Sequence, residues 1–203
     1  MHGLINRALQ GFVTDTFGQD IWARIRQEAA LPFDGFEPML TYDVAWTPRV
    51  IDAAARVLDR PVAAVLEDLG THLVSHPNLE ALRRLLRFGG VSYRDFLDSL
   101  EDLPGRVQMA LPDLNLPDVT LEEHALGEFH LTCRFKVAGI GHVMLGLLRA
   151  MADDYGTLVL LEHLGTTERG ELLSIRLIDD AHGVARRFEL APGVRQQSSV
   201  FLG

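Results

Sequence analysis

His72, His76, His124, His130, His142 and His163 offer imidazole lone pairs, and Cys133 a thiol. A single cysteine excludes an intramolecular disulfide and any CxxC metal site. Glu122-Glu123-His124 and Asp153-Asp154 are charge groups of the kind that sit on a solvated face. Glu162-His163 and Asp179-Asp180-His182 do not match a zinc spacing. Gly139-Ile140-Gly141 has too little around it for a phosphate loop, and there is neither a P-loop nor a nucleophile elbow. These residues therefore predict no catalytic centre and no structural metal site.

The bulk numbers narrow the classes further. A formal net charge of -9 argues against nucleic acid, which needs clustered Lys and Arg; the Arg83-Arg84-Arg87 and Arg186-Arg187 groups are of ordinary surface size. Hydrophobic residues make up 47% of the 203 residues, enough for a sizeable core in one domain or two small ones. No apolar run is long enough to span a membrane and no signal peptide is recognisable, so a soluble cytoplasmic protein is the expectation.

The elements that must position these residues fall into two periods. Leu4, Ile5, Ala8, Leu9, Phe12 and Val13 form a helical stripe that Gly18 breaks, and Ile21, Trp22 and Ile25 begin another. Pro32, Gly35 and Pro38 mark a loop. Thr47 as N-cap with Pro48 at the first helical position opens a third helix, and Pro61 opens a fourth, with Leu69 and Leu73 inward and Gly70 inside it. Asn78 to Phe88 reads as a short amphipathic helix ended by Gly89-Gly90. In Val91–Pro117, Ser92 and Asp95 make an approximate capping box, and Tyr93, Leu97, Leu100, Pro104 and Val107 recur at helical spacing. Position 104 thus points where the leucines point, and Pro104 with Gly105 should kink or end the helix. Beyond Pro117 the period becomes two: Phe129, Leu131, Cys133, Phe135 and Val137 alternate with Glu128, His130, Thr132, Arg134 and Lys136, a half-buried strand. An apolar helix over 139–151 follows, then strands over 157–164 and 171–178 joined as a hairpin, with a further strand suggested over 184–190 and a loose tail from Ala191. The predicted plan is α+β: an N-terminal helical subdomain, then an antiparallel sheet with an inserted helix.

Two segments resemble one family. Leu100, Leu103 and Val107 with the proline-rich run after them are similar to the central L-x-x-L-H-x-x-V segment of the H-NOX, or haem nitric-oxide/oxygen-binding (HNOB), domains. Gly3, Leu4, Ile5, Val13, Gly18 and Trp22 resemble the opening of the same family. The resemblance covers roughly residues 1–180, with the domain drawn as 1–182 (a distal helical part, 1–60; pocket helices plus sheet, 61–182) and 183–203 as a C-terminal extension. The family histidine that ligates iron corresponds to Pro104, which has no lone pair for a metal. The family's Y-x-S-x-R, which holds the haem propionates, falls by ungapped alignment on Cys133, Phe135 and Val137; a shift of three residues gives His130, Thr132 and Arg134. The alternation favours the ungapped register, because Cys133, Phe135 and Val137 share the apolar face.

On this resemblance the pocket would be lined by Leu4, Ile5, Leu73, Leu97, Leu100, Cys133, Phe135 and Val137. Haem is implied by resemblance alone, since the residues themselves supply no family ligand. A lone histidine on an apolar helix, as His142 is, is more often a satisfied core residue than a ligand, and Cys133 more often a small buried hydrophobe than a thiolate. The reading is a non-enzymatic sensory or regulatory domain of bacterial, cytoplasmic signalling. It would bind a small ligand with classical histidyl-haem coordination lost. The alternatives are a gas sensor using another haem ligand, or a haem-free protein-interaction module. The resemblance implies a signalling partner in trans, a histidine kinase or a cyclic-dinucleotide enzyme; an apolar small molecule is the other candidate, with no nucleic acid and no membrane.

Overall fold

The computed structural model describes residues 1–178. The N-terminal half is helical: α1 (Gly3–Phe17), α2 (Gln19–Glu28), α3 (Trp46–Leu58), α4 (Val62–Ser75), α5 (Glu80–Arg87), α6 (Tyr93–Asp98) and α7 (Leu103–Ala110). A sheet of β1 (Asp118–Ala125), β2 (Glu128–Arg134), β3 (Val159–Thr167) and β4 (Gly170–Leu177) follows, with α8 (Ile140–Tyr155) between β2 and β3. The strand order is β1-β2-β4-β3, every pair antiparallel. This is the α+β plan read from the sequence. The predicted strand over 184–190 and the C-terminal extension lie outside the described residues.

Two cores result. In the first, the inward residues of β2 (Phe129, Leu131, Cys133) and β4 (Leu173, Ile175, Leu177) pack on Leu145, Leu148 and Met151 of α8 and on Tyr93, Phe96, Leu97 and Leu100. The second fills the space among α1–α4 with Phe12, Val13, Trp22, Ile25, Val50 and Leu66. α4 belongs to both, giving Val65, Leu66 and Leu69 to one and Val74 to the other. A helix flanked on two sides must be apolar around most of its circumference. That is why His72 is 7% exposed, more buried than Leu73, although the sequence reading turned Leu73 inward instead.

α4 and α8 cross with their backbones almost touching. A Cβ on Gly70 would lie 2.0 Å from the Val143 carbonyl oxygen, and one on Gly146 would lie 1.8 Å from that of Glu67. Thr71 Oγ1 donates to the Gly146 carbonyl across the same crossing (3.3 Å). Gly3 has a similar reason to be glycine: its Cβ position is 2.0 Å from the Glu37 carbonyl, where the loop 37–42 ties to the chain start through Gly3 N–H to Leu40 O (2.7 Å) and Tyr42 N–H to Met1 O (2.9 Å).

Four local expectations need correction. The face running from Tyr93 to Val107 is not one helix. The capping box at Ser92 and Asp95 forms, but α6 stops at Asp98, and three-residue turns (Leu100 N–H to Leu97 O, Leu103 N–H to Leu100 O) lead into α7. Pro104 does not end a helix; it sits in the first turn of α7, where its missing N–H costs nothing. α3 begins at Trp46 rather than after Thr47, and the Thr47 hydroxyl donates to Asn6 Oδ1 in the interior (2.7 Å) instead of capping. β2 ends at Arg134 rather than Val137, and β1, which the sequence reading passed over, pairs along its length.

Tyr93 ties α6 to α8, its hydroxyl donating to the Leu148 carbonyl (3.1 Å) in the buried core. Tyr93→Phe should lower stability by about 1 kcal/mol, the net value of one such bond, in chemical denaturation. An unchanged midpoint would mean the α6–α8 contact is not held this way.

Candidate functional site

Leu97 and Leu100 are 0% and 1% exposed and lie in the same apolar cluster as Cys133. Leu73 and Val137 pack instead against the helical core, and Leu4, Ile5 and Phe135 are half-buried. Pro104 is half-buried at the head of α7. Arg106 spans the break between α6 and α7, Nη2 donating to the Ser99 carbonyl (2.8 Å), while its Nε is buried without a partner. Burial, reinforced by Glu171 across the strand pair, pushes the Cys133 thiol up to about 12, so it stays protonated.

His130, Thr132 and Arg134 lie on the other side of β2, where the burial alternates cleanly. His130 meets His124 edge-on (4.2 Å between rings), and Arg134 pairs with Asp118 at the exposed margin. Two surface hollows, of about 560 Å³ between α2 and the loop at 30–34 and about 440 Å³ against α5, involve none of the candidate pocket residues.

A second polar constellation escaped the sequence reading. Glu171, 7% exposed on β4, accepts hydrogen bonds from the amides of Gly139 (2.6 Å), Ile140 (3.1 Å) and Gly141 (3.0 Å) at the start of α8, and contacts His163 Nε2 (3.1 Å). His163 Nδ1 accepts from the Gly165 amide (3.1 Å), which assigns the ring proton to Nε2 and makes it a donor to Glu171. The His163 ring stacks on His142 (4.4 Å, 6°), and His142 Nδ1 reaches Glu67 of α4 (3.3 Å). Burial raises the Glu171 carboxyl, but the bonds from His163, Gly139 and Gly141 outweigh it and leave the group below the usual carboxylate range. The Gly139-Ile140-Gly141 amides are therefore committed to an internal carboxylate. Its signal in the sequence was a Glu at an inward position of the alternating strand Glu171-Leu173-Ile175-Leu177.

The remaining imidazoles among the described residues are also placed, while the Asp179-Asp180-His182 group lies outside them. His2 caps α1 through Leu4 N–H (3.2 Å). His72 and His76 face Asp15, with His72 held below its ordinary pKa by burial and by His76, against the opposing pull of Asp15.

Comparison with known proteins gives one answer. The chain is 22% identical over 165 residues to the soluble guanylate cyclase gcy-31 of Caenorhabditis elegans, covering 81% of this chain but 24% of that one, so it spans about a quarter of that relative's length. In structure it resembles the Fe(II) unliganded H-NOX protein from K. algicida (TM-score 0.74, 20% identity, 87% of this chain and 96% of that one). It is also similar to the H-NOX protein from S. oneidensis in the Fe(II)NO state (TM-score 0.72, 18% identity, 87% and 99%). The haem-NO-binding model, HNOB, matches residues 2–163, and the chain belongs to that family.

Proposed function

We propose that this domain is a sensory or regulatory module that has given up histidyl-haem coordination. It would respond instead to a small apolar ligand, or to a protein partner, through the apolar interior formed by Leu97, Leu100 and Cys133. The observation that carries this reading is Pro104: the position that resembles the family's iron ligand holds an imino acid whose nitrogen is in a peptide bond, at the head of α7. The rest of the donor set agrees. Cys133, Phe135 and Val137, in the favoured register, bind no carboxylate, and His2, His142 and His163 are hydrogen-bonded elsewhere, while His72 and His76 face Asp15 and His124 meets His130. These residues do not fit a family-type haem site. No catalytic constellation accompanies them among the described residues, so output would pass to a signalling protein or domain. A switch of this kind needs a ligand with different affinity for two states of the domain. The candidate joint between such states is the α4–α8 crossing, where the helical half meets the sheet half.

The test is an absorption titration with haem, with and without nitric oxide. Wild-type protein should give the spectrum of free or non-specifically held haem, and Pro104→His alone should not restore stoichiometric loading, because the carboxylate partners are also missing. A sharp Soret band in the wild type that shifts with nitric oxide would overturn the proposal. Loading of Pro104→His alone would mean that only the ligand was lost and the pocket kept.

A further inference from the structure

His72 and His76 are one turn apart at the end of α4, a spacing that puts both imidazoles on one face; their rings lie 4.5 Å apart, inclined by 29°. The last turn of α1 brings Asp15 against them. Its Oδ2 is 3.7 Å from His72 Nε2 and 3.7 Å from His76 Nδ1, and the ligand atoms of all three residues lie within 4.8 Å of one another. These separations are too long for hydrogen bonds. His76 Nδ1 is nevertheless buried with no partner, and His72, 7% exposed, is closed in by the Phe12 ring at 5.6 Å. Buried polar atoms are almost always satisfied, so the partnerless His76 Nδ1, with His72 and Asp15 converging on it just beyond hydrogen-bond reach, calls for an occupant.

The spacing suits a metal ion. With ligand bonds of about 2.0–2.1 Å, a tetrahedral ion holds neighbouring ligand atoms roughly 3.3 Å apart, so the present 3.7 Å closes with small side-chain rotations. Two imidazoles and one carboxylate are a zinc-type donor set, whereas calcium and magnesium require mostly oxygen. Asp15 and His76 are in part open to solvent, which leaves an entry path and room for a water as fourth ligand.

We propose that Asp15, His72 and His76 form a site for a divalent transition-metal ion of the zinc class, which clamps the end of α1 to the end of α4. The site stands apart from any haem question. Its donors lie on the helical side of α4, and α4 is also the helix that crosses α8 at Gly70. Loading would therefore stiffen one side of the joint between the two halves.

The experiment is zinc titration of the full chain by calorimetry and thermal melting, repeated with cobalt to read the visible absorption of a four-coordinate site. The variants are Asp15→Asn and His76→Gln, chosen because both positions are partly exposed and should leave the zinc-free melt unchanged. The expected result is one ion per chain, a melting temperature that rises with zinc concentration, and a loss of about tenfold or more in affinity in each variant. Absence of stoichiometric uptake by the wild type would overturn the proposal. So would equal uptake by both variants, which would place the ion at another histidine pair such as His124 and His130.

Discussion

Gly146→Ala should lower stability by about 3 kcal/mol or more, an effect beyond the usual cost of overpacking because the obstacle is backbone rather than a side chain that can turn away. The added Cβ would sit 1.8 Å from the Glu67 carbonyl oxygen and 2.9 Å from the Thr71 amide, so α4 and α8 must separate or shear. For an ordered region of this length that amounts to a fall of roughly 6–12 °C in melting temperature. Gly11→Ala is the control. It adds the same methyl group inside α1 with nothing within 4 Å, and should raise stability by up to about 1 kcal/mol through helix propensity. Melting followed by circular dichroism separates the two. If Gly146→Ala melts with the wild type, α4 and α8 are not packed in this way and the joint assigned to them has no basis. A variant that stays folded but has its halves displaced would be the more informative outcome for signalling.

Glu171→Ala should cost about 3–5 kcal/mol, the equivalent of two hydrogen bonds to a charged group at about 1.5–3 kcal/mol each. The loss is large because it strands several groups at once. The amides of Gly139, Ile140 and Gly141 lose their acceptor at the positive end of the α8 dipole, and the His163 Nε2 proton loses its partner. In the wild type a Cβ on Gly141 would meet His163 Nε2 at 2.7 Å and Glu171 Oε2 at 2.8 Å, so glycine leaves room for this carboxylate. The same carboxylate sets a pH dependence. Its folded pKa is lowered, so its contribution is fully present above the unfolded carboxyl value of about 4.3 and disappears as the pH falls through the folded value. Wild-type melting temperature should therefore drop on acidification below about pH 4.5 more steeply than that of Glu171→Gln, which lacks the titrating group. His163, His142 and Glu67 along the stack and Cys133 across the strand pair also face this carboxylate, and their presence in both proteins makes the difference between the two curves the readout. Parallel curves would show that the capped carboxylate does not govern acid stability.

Much of the architecture could be read from local pattern. The Ser92–Asp95 capping box, Gly18 as the end of α1, Pro61 as the entry to α4 and the alternation of Phe129, Leu131 and Cys133 are each decided within a few residues, by backbone geometry or by the two periods of burial. The family could be read too, from the spacing of Gly3, Leu4 and Ile5 and of Leu100, Leu103 and Val107. Only the tertiary structure decided the rest. Pro104 begins a helix rather than ending one, since the helix before it had already stopped at Asp98. β1 was hidden because its residues are largely solvated on both faces, leaving no strong alternation for a pattern to reveal. The requirement for glycine at 70 and 146 comes from a crossing of two helices more than seventy residues apart. The partners of Glu171 and the convergence of Asp15 on His72 and His76 are likewise long-range. Sequence periodicity specifies which face of an element is buried. It carries no information on which polar group of a distant element will arrive there, and that pairing is what assigns chemistry to the imidazoles and carboxylates of this chain.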